Sequence, residues 1–376
     1  MTSPILTQVL DTAGQGKVGV VTLNEPDKLN GITLAMSHAL TRVLHEWEAD
    51  ASIVAVVMRG AGERAFSAGG DLQGLYQSMV DNTTGDAWNN PYTKEFFDVE
   101  YRLDYQIHTY PKPIVCWASG IVMGGGVGLM MGASHRVVTT TTRFAMPEIS
   151  IGLFPDVGGT WMLSRLPDGM GNFLALTGAQ LGASDCEFLG LADHIAEADA
   201  LEDILAGMQA HNWSGSVADH DTFLRQLLDS HRPGDLAAGP LQIHQAHIRR
   251  VASGRSLTRI DHDLRQLAEH DDAWLQRAVR TYMAGSPGSA RLSFTLLHKV
   301  RLMSLADVFR LEYIVSQHCG AHGDLQEGIR ALIIDKDKTP AWQPASLAQA
   351  TPEWVQRFFV PPWPDTQAHP LADLGN

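Results

Sequence analysis

Three short runs of this chain are almost without polar residues, and each ends at a turn-forming residue: KVGVVTLN at 17–24, SIVAVVMRG at 52–60 and PIVCWASG at 113–120. A strand that is apolar along its length has to be covered on both faces, so these runs call for an α/β fold in which helices pack over buried strands. Between the first two lies TLAMSHALTRVLHEWEAD, where Met36, Leu40, Val43, Leu44 and Trp47 recur at helical spacing and Thr33 stands where an N-cap belongs. After the third, VMGGGVGLMMGAS turns into a short helix, and HRVVTT and RFAM read as two more short strands. The order strand, strand, helix recurs with glycine-rich corners, without a fixed sequence period.

The pattern changes near residue 196. From there to 285 the chain is polar, rich in histidine and helical in pattern, and 291–320 reads as two further helices. GSPGSA at 285–290 reads as a hinge, and PPWPDTQAHPLADLGN as a loose, proline-rich tail. The expected division is a strand-rich core at 1–195, a helical insertion at 196–290, and a C-terminal helical region with its tail at 291–376.

The bulk properties exclude several classes. A chain of 376 residues, 44% of them hydrophobic, can bury a sizeable core and more than one domain. No run approaches the roughly 18 apolar residues of a membrane-spanning helix, so no membrane association is expected. The N-terminal stretch has neither a basic, then apolar, secretory pattern nor an Arg-rich amphipathic one, and the expectation is a cytoplasmic protein. Cys116, Cys186 and Cys319 are scattered, with no CxxC pair, which suits a reducing compartment. The net charge of -14 argues against nucleic acid and anionic membranes as partners, and an anionic substrate would need a local basic patch.

The chemistry concentrates in FAMPEISIGLFPDVGGT at 144–160, which places Glu148 and Asp156 among apolar residues, prolines and glycines. Glu148 has no cation beside it, which weakens a purely structural role. Asp156 has a bland alternative, the N-cap of a helix beginning near Val157. Two glycine loops, SAGGDL and MGGGVG, each follow a buried strand. The second is not a dinucleotide fingerprint, because after Gly126 and Gly128 the third glycine position holds Met131. Each loop can instead leave a backbone N–H free at a turn or helix start, and two such donors aimed at one point make an oxyanion hole.

AFSAGGDL, GIVMGGGVGL and AMPEISIGLFPDVGGTWMLSRL together resemble the enoyl-CoA hydratase/isomerase (crotonase) superfamily. FFDVEYRL at 96–103 and EYIVSQHCGAHGDLQEGIRALIIDKDKTPAWQP at 312–344 resemble its 3-hydroxyisobutyryl-CoA hydrolase branch. The resemblance covers most of 16–195 and 295–345. It implies a crotonase-type spiral of repeated ββα units with added C-terminal helices. It also implies Gly70 and Gly125 as the oxyanion donors, Glu148 as the main catalytic carboxylate, Asp156 as the second acid, and Glu100 as a glutamate approaching the substrate. Ala68, Gly69, Asp71 and Leu72 fall where the superfamily binds the adenine end of CoA. Two neighbouring carboxyls do not both ionise easily, so their pKa values are expected to split into an acid and a base or nucleophile.

The implied reaction is hydrolysis of a short 3-hydroxyacyl-CoA, most directly 3-hydroxyisobutyryl-CoA in valine breakdown, with no cofactor and no metal, CoA being part of the substrate. A trimer or hexamer is the implied assembly. Hydratases of the superfamily carry a second glutamate where this chain has Gly128, which weakens that reading; an isomerase, needing one base, and a non-catalytic CoA-ester binder stay open as alternatives. Three further features have bland readings: Glu100, with Lys94 and Arg102 nearby, as a solvated helix face; His318 and His322, one turn apart, as surface histidines; and Lys336 and Lys338 as surface lysines, though CoA phosphates are conceivable partners for them.

Overall fold

The structure is a computed structural model in which residues 3–82 and 84–375 are described; Met1 and Thr2 of the N-terminal stretch and the last residue of the tail, Asn376, lie outside them. Packing divides the chain into two discontinuous units. The first comprises Met1–Gly70, Leu103–Phe144 and Leu181–Ile243, the second Asp71–Arg102, Ala145–Gln180 and His244–Asn376. The contiguous division at 195 and 290 therefore does not follow the packing. The 196–290 region is helical, but its first part belongs with the sheet and its remainder with the second unit.

The first unit is built on a six-stranded sheet of order β1-β2-β3-β5-β7-β9. β1 (Ile5–Asp11), which the sequence pattern does not announce, pairs antiparallel with β2 (Lys17–Leu23). β3 (Ile53–Gly60), β5 (Ile114–Ala118), β7 (His135–Thr139) and β9 (His194–Ala196) follow in parallel. A second sheet, β4 (Ala65–Ser67), β6 (Ile121–Met123) and β8 (Arg143–Ala145), lies in that order. Each of β3, β5 and β7 is thus followed by a short strand of the second sheet, which is the expected strand-strand alternation and gives the ββα spiral its repeat.

Both faces of the large sheet are covered, as its apolar strands require. Val18, Val20, Val57, Val115 and Val137 form one core with Ile204, Met208, Leu224 and Leu228 of the helices Leu201–Ala210 and Val217–Ser230. α1 (Leu34–Ala49) buries Met36, Leu40, Leu44 and Trp47, and Thr33 caps it by accepting from the Met36 N–H. A Cβ on Gly19 of β2 would lie 2.7 Å from the Trp47 ring, so the glycine inside the strand is the seat of that indole. Each fully buried Val or Leu contributes about 1.5–3 kcal/mol.

The second unit is mainly helical. Its spine is the helix Leu305–Cys319, of which twelve residues from Ala306 to Cys319 are buried. Two sequence expectations fail here for packing reasons. The 285–290 segment is no hinge: Ser286 caps the helix Pro287–Lys299, Ser286, Ser289 and Ala290 are buried, and a Cβ on Gly285 would lie 2.7 Å from Ile149. The tail is not loose either. Trp363, Leu371 and Leu374 are buried, Arg310 donates to the Leu371 carbonyl at 3.0 Å, and Arg102 donates to the Pro370 carbonyl at 2.7 Å and pairs with Asp373.

Candidate active site

Within the first unit, two glycine turns carry the main-chain candidates. Beyond β4, the Ala68 N–H donates to the Leu29 carbonyl at 3.0 Å, the Gly69 N–H to Ser67 Oγ at 3.2 Å, and the Gly69 carbonyl accepts from Ile32 at 2.8 Å. These bonds hold the turn with Gly69 at φ 103°, a conformation that favours glycine. Beyond β6, Gly124 at φ 51° starts α4 (Gly125–Gly132), whose first N–H groups have no partner within the helix. The two turns touch. A Cβ on Gly69 would lie 3.1 Å from the Met123 carbonyl and 3.4 Å from the Gly125 nitrogen, and one on Gly126 would lie 2.6 Å from the Ser67 carbonyl. Among the described residues the N–H groups of Gly70 and Gly125 make no backbone hydrogen bond. Two unspent donors thus sit in neighbouring turns, as an oxyanion hole requires. Of the remaining loop residues, Ala68 is exposed, Asp71 uses its carboxylate to cap α2 (Leu72–Asp81) at the Gly74 N–H, and Leu72 opens that helix half-buried.

The second unit, by itself, holds a cluster of buried carboxyls. Glu148 opens a 3-10 turn, Glu148–Ile151, after Pro147, and is buried. Asp156 is buried too, and it does not cap a helix. Val157 and Gly158 both take positive φ, 52° and 77°, so the helix α5 (Gly159–Leu163) begins only at Gly159. A β-branched residue in that conformation is strained, and such strain collects at functional sites. The N–H groups at this buried helix start are satisfied by Glu312, which accepts from the Gly158 N–H at 2.8 Å, the Thr160 N–H at 3.2 Å and the Thr160 hydroxyl. Asp156 is thereby left to a different partner. The Tyr101 hydroxyl donates to Asp156 Oδ2 at 2.8 Å and takes the Ser316 hydroxyl at 2.6 Å. Tyr101 lies on α3 (Pro91–His108), beside Glu100.

Glu100 is not on a solvated face. It is 4% exposed, while Arg102 pairs with Asp98 and Lys94 lies over the Trp88 ring. Glu100 Oε1, Glu148 Oε2 and both amide atoms of Gln317 are buried without a hydrogen-bond partner. Buried polar atoms left open in this way are rare in a folded chain and mark places where a ligand group fits. Burial dominates the electrostatics. It pushes Glu148 and Glu100 well above the usual carboxylate range, with the Asp156 charge adding to both. Burial also raises Asp156, but the Tyr101 hydroxyl opposes it, leaving Asp156 at about 6. Glu312 sits at about 8, raised by burial and lowered by Thr160 and the Gly158 N–H. Burial thus favours the protonated form in all four, and at Asp156 the Tyr101 hydroxyl works against it.

Sequence reasoning missed Tyr101, Glu312, Ser316 and Gln317. The available signal was a glutamate, Glu312, and a serine, Ser316, four apart within the largely apolar run LEYIVS, the spacing that puts both on one face. The other candidates stay outside the cluster. His318 gives Nε2 to the Val360 carbonyl at 2.7 Å and stacks on His322. Lys336 and Lys338 are exposed.

A family model described as enoyl-CoA hydratase/isomerase matches residues 18–359. A Danio rerio protein named 3-hydroxyisobutyryl-CoA hydrolase, mitochondrial, is 39% identical over 92% of this chain and 87% of its own length. The Homo sapiens protein of the same name is 33% identical over 92% and 86%. Among solved structures, a protein from Mycobacterium thermoresistibile described as a carnitinyl-CoA dehydratase superposes with a TM-score of 0.82 at 35% identity, over 96% of this chain and 97% of that one. A Rhodobacter sphaeroides enoyl-CoA hydratase gives 0.80 at 32%, over 96% and 98%. With the spiral of paired strands, the glycine turns and the buried acids in place, the chain belongs to the enoyl-CoA hydratase/isomerase family, on the branch of its 3-hydroxyisobutyryl-CoA hydrolase relatives.

Proposed function

We propose that this protein hydrolyses the thioester of a short 3-hydroxyacyl-CoA, 3-hydroxyisobutyryl-CoA first among them, to the free hydroxy acid and CoA, with valine degradation as its setting. The observation that carries the reading is the buried cluster of Glu148, Asp156 and Glu100, which makes no ion pair among the described residues and in which burial favours the protonated form of all three while the Tyr101 hydroxyl favours the ionised form of Asp156. At neutral pH such a cluster offers a carboxylate and a carboxylic acid together. The carboxylate takes a proton from the attacking water, or itself attacks the thioester carbon to give an anhydride that water then opens. The acid returns a proton to the departing sulfur, so that RCO–SCoA and water become RCOOH and CoASH. The family resemblance assigns the Gly70 and Gly125 amides to the developing oxyanion, where each such donor is worth about 2.7–4 kcal/mol. It also assigns the Ala68–Leu72 turn to the CoA moiety. Glu100, with one oxygen open, suits the hydroxyl of the acyl group.

A second reading, hydration or isomerisation of an enoyl-CoA, is favoured by what the two solved relatives are called. Gly128, buried inside α4, offers no second acid for it. A homo-oligomer remains part of the proposal, on the resemblance alone. So does the compartment: the relatives are named as mitochondrial, three unpaired buried cysteines suit any reducing interior, and the cytoplasm is the reading of the sequence. No helix among the described residues is long and apolar enough to cross a membrane.

The test presents 3-hydroxyisobutyryl-CoA, 3-hydroxypropionyl-CoA and a 3-enoyl-CoA in parallel. Thiol release from the hydroxyacyl esters supports the proposal. Double-bond migration or hydration without thiol release transfers the case to the second reading, and binding without turnover makes the chain a CoA-ester binder.

A further inference from the structure

A second cluster of side chains lies in the helical unit, away from the carboxyls in sequence and unused by the proposed reaction. His244 precedes the helix Gln245–Ala252, His247 stands in its first turn, and His270 follows the short turn Leu267–Glu269. One nitrogen from each ring falls within 4.8 Å of the other two, and all three residues are half-buried. The ring centroids are 5.3 Å (His244–His270), 5.4 Å (His247–His270) and 6.3 Å (His244–His247) apart. Three imidazoles bound to one tetrahedral ion by bonds of about 2.0–2.1 Å have centroids about 5 Å apart, so small rotations of the rings suffice to close the set.

The surroundings complete the pattern. Asp272 Oδ2 lies 3.1 Å from His244 Nε2, beside the cluster. A carboxylate behind a ligating imidazole is the usual outer partner of a metal-bound histidine. The Asp272 N–H donates to His270 Nδ1 at 3.0 Å, so the same residue touches two of the three rings. Gln276 Nε2 holds the His270 carbonyl at 2.7 Å, and the Trp274 indole stacks over His244 at 6.5 Å and 11°. The His318–His322 pair makes the contrast: its inner nitrogens are 3.3 Å apart, but His318 spends its other nitrogen on a carbonyl, and no third ligand joins them among the described residues.

We propose that His244, His247 and His270 bind one divalent transition-metal ion of the zinc type, oriented by Asp272 and with a fourth position open to water, joining two corners of the helical unit. Imidazole sets favour Zn2+, Cu2+, Ni2+ and Co2+ over Mg2+ and Ca2+. The proposal is independent of the thioester reading and stands or falls without it.

The test uses the whole chain, stripped with chelator, desalted and titrated calorimetrically with zinc chloride. The expected result is saturable binding of one Zn2+ per chain, with no comparable uptake of Mg2+. His247→Ala and His270→Ala each weaken it at least tenfold, and Asp272→Asn weakens it by about 10–100-fold. Zinc raises the melting temperature of the parent and not of the histidine variants, while metal-free His247→Ala keeps the parent's turnover of its acyl-CoA substrate. His318→Ala, folded and binding as the parent does, separates this cluster from the other histidines. Absence of one-to-one binding, or affinities in His247→Ala and His270→Ala equal to the parent's, overturns the proposal.

Discussion

The glycine turns of the first unit and the acid cluster of the second are made in opposite ways. The turns use main chain. Their geometry is fixed by the absence of side chains at Gly69, Gly124 and Gly126 and by hydrogen bonds to residues close by in space, such as Ser67 and Ile32. The acid cluster uses side chains drawn from three distant stretches: Glu100 and Tyr101, then Glu148 and Asp156, then Glu312 and Ser316. Within it, the carboxyls themselves divide. Glu312 is surrounded by donors and serves the fold, whereas Glu148 and Glu100 each keep an oxygen open. A satisfied buried carboxyl holds structure; one left open is available for chemistry.

That contrast can be broken or sharpened by mutation. The largest effect is expected at Glu148→Gln, which keeps the shape and removes the titrating group: thiol release falls about 10²–10⁴-fold while the melting temperature holds or rises. Thiol release within a few fold of the parent would remove Glu148 from the chemistry. Next is stability. Asp156 titrates near 6 in the folded chain against 3.8 as the ordinary value, so the folded state binds its proton more tightly than the unfolded state does. Its contribution is therefore unfavourable above pH 6 and vanishes below pH 4, and Asp156→Asn raises stability at pH 8 by roughly 2–3 kcal/mol and not at pH 4. Denaturant midpoints at the two pH values read this directly.

On the main-chain side, Gly126→Ala drives a methyl to within 2.6 Å of the Ser67 carbonyl and pushes α4 off β4. The expected loss is about 1–3 kcal/mol of stability, measured by chemical unfolding, with activity falling as the turns separate. A smaller effect is expected at Tyr101→Phe. It removes the donor to Asp156 without a cavity, lowers turnover at pH 7 about tenfold and moves the acid limb of the pH profile upward. Ser316→Ala, one bond further out, shifts the limb less. A stability loss with an unmoved limb would make Tyr101 a core residue only.

The same contrast explains what the sequence discloses. Apolar runs and glycine corners are local, so β2, β3, β5, β7, α1 and α4 are all legible in it, and so are the two glycine turns. Glu148 and Asp156 are legible as acids in an apolar stretch, and Glu100 enters through the resemblance. Tyr101 and Ser316 are not legible, because a tyrosine hydroxyl and a helical serine acquire meaning only when α3 and the helix Leu305–Cys319 pack together. β1 is hidden for a related reason: at the sheet edge most of its side chains face outward, leaving no apolar pattern. The hinge and the loose tail were inferred from glycine and proline content, which reports local stiffness and turn preference but says nothing about whether Gly285 or Leu371 is packed against something.

The most direct test of the acid cluster is the pH dependence of kcat/KM for 3-hydroxyisobutyryl-CoA in the parent and in Asp156→Asn. The account predicts an acid limb in the parent with an apparent pKa of about 6, activity rising as the pH passes through it, and the loss of that limb with most of the activity in the variant. A limb near pH 4 in the parent, or one that stays at the same pH when Asp156 is replaced, would contradict it.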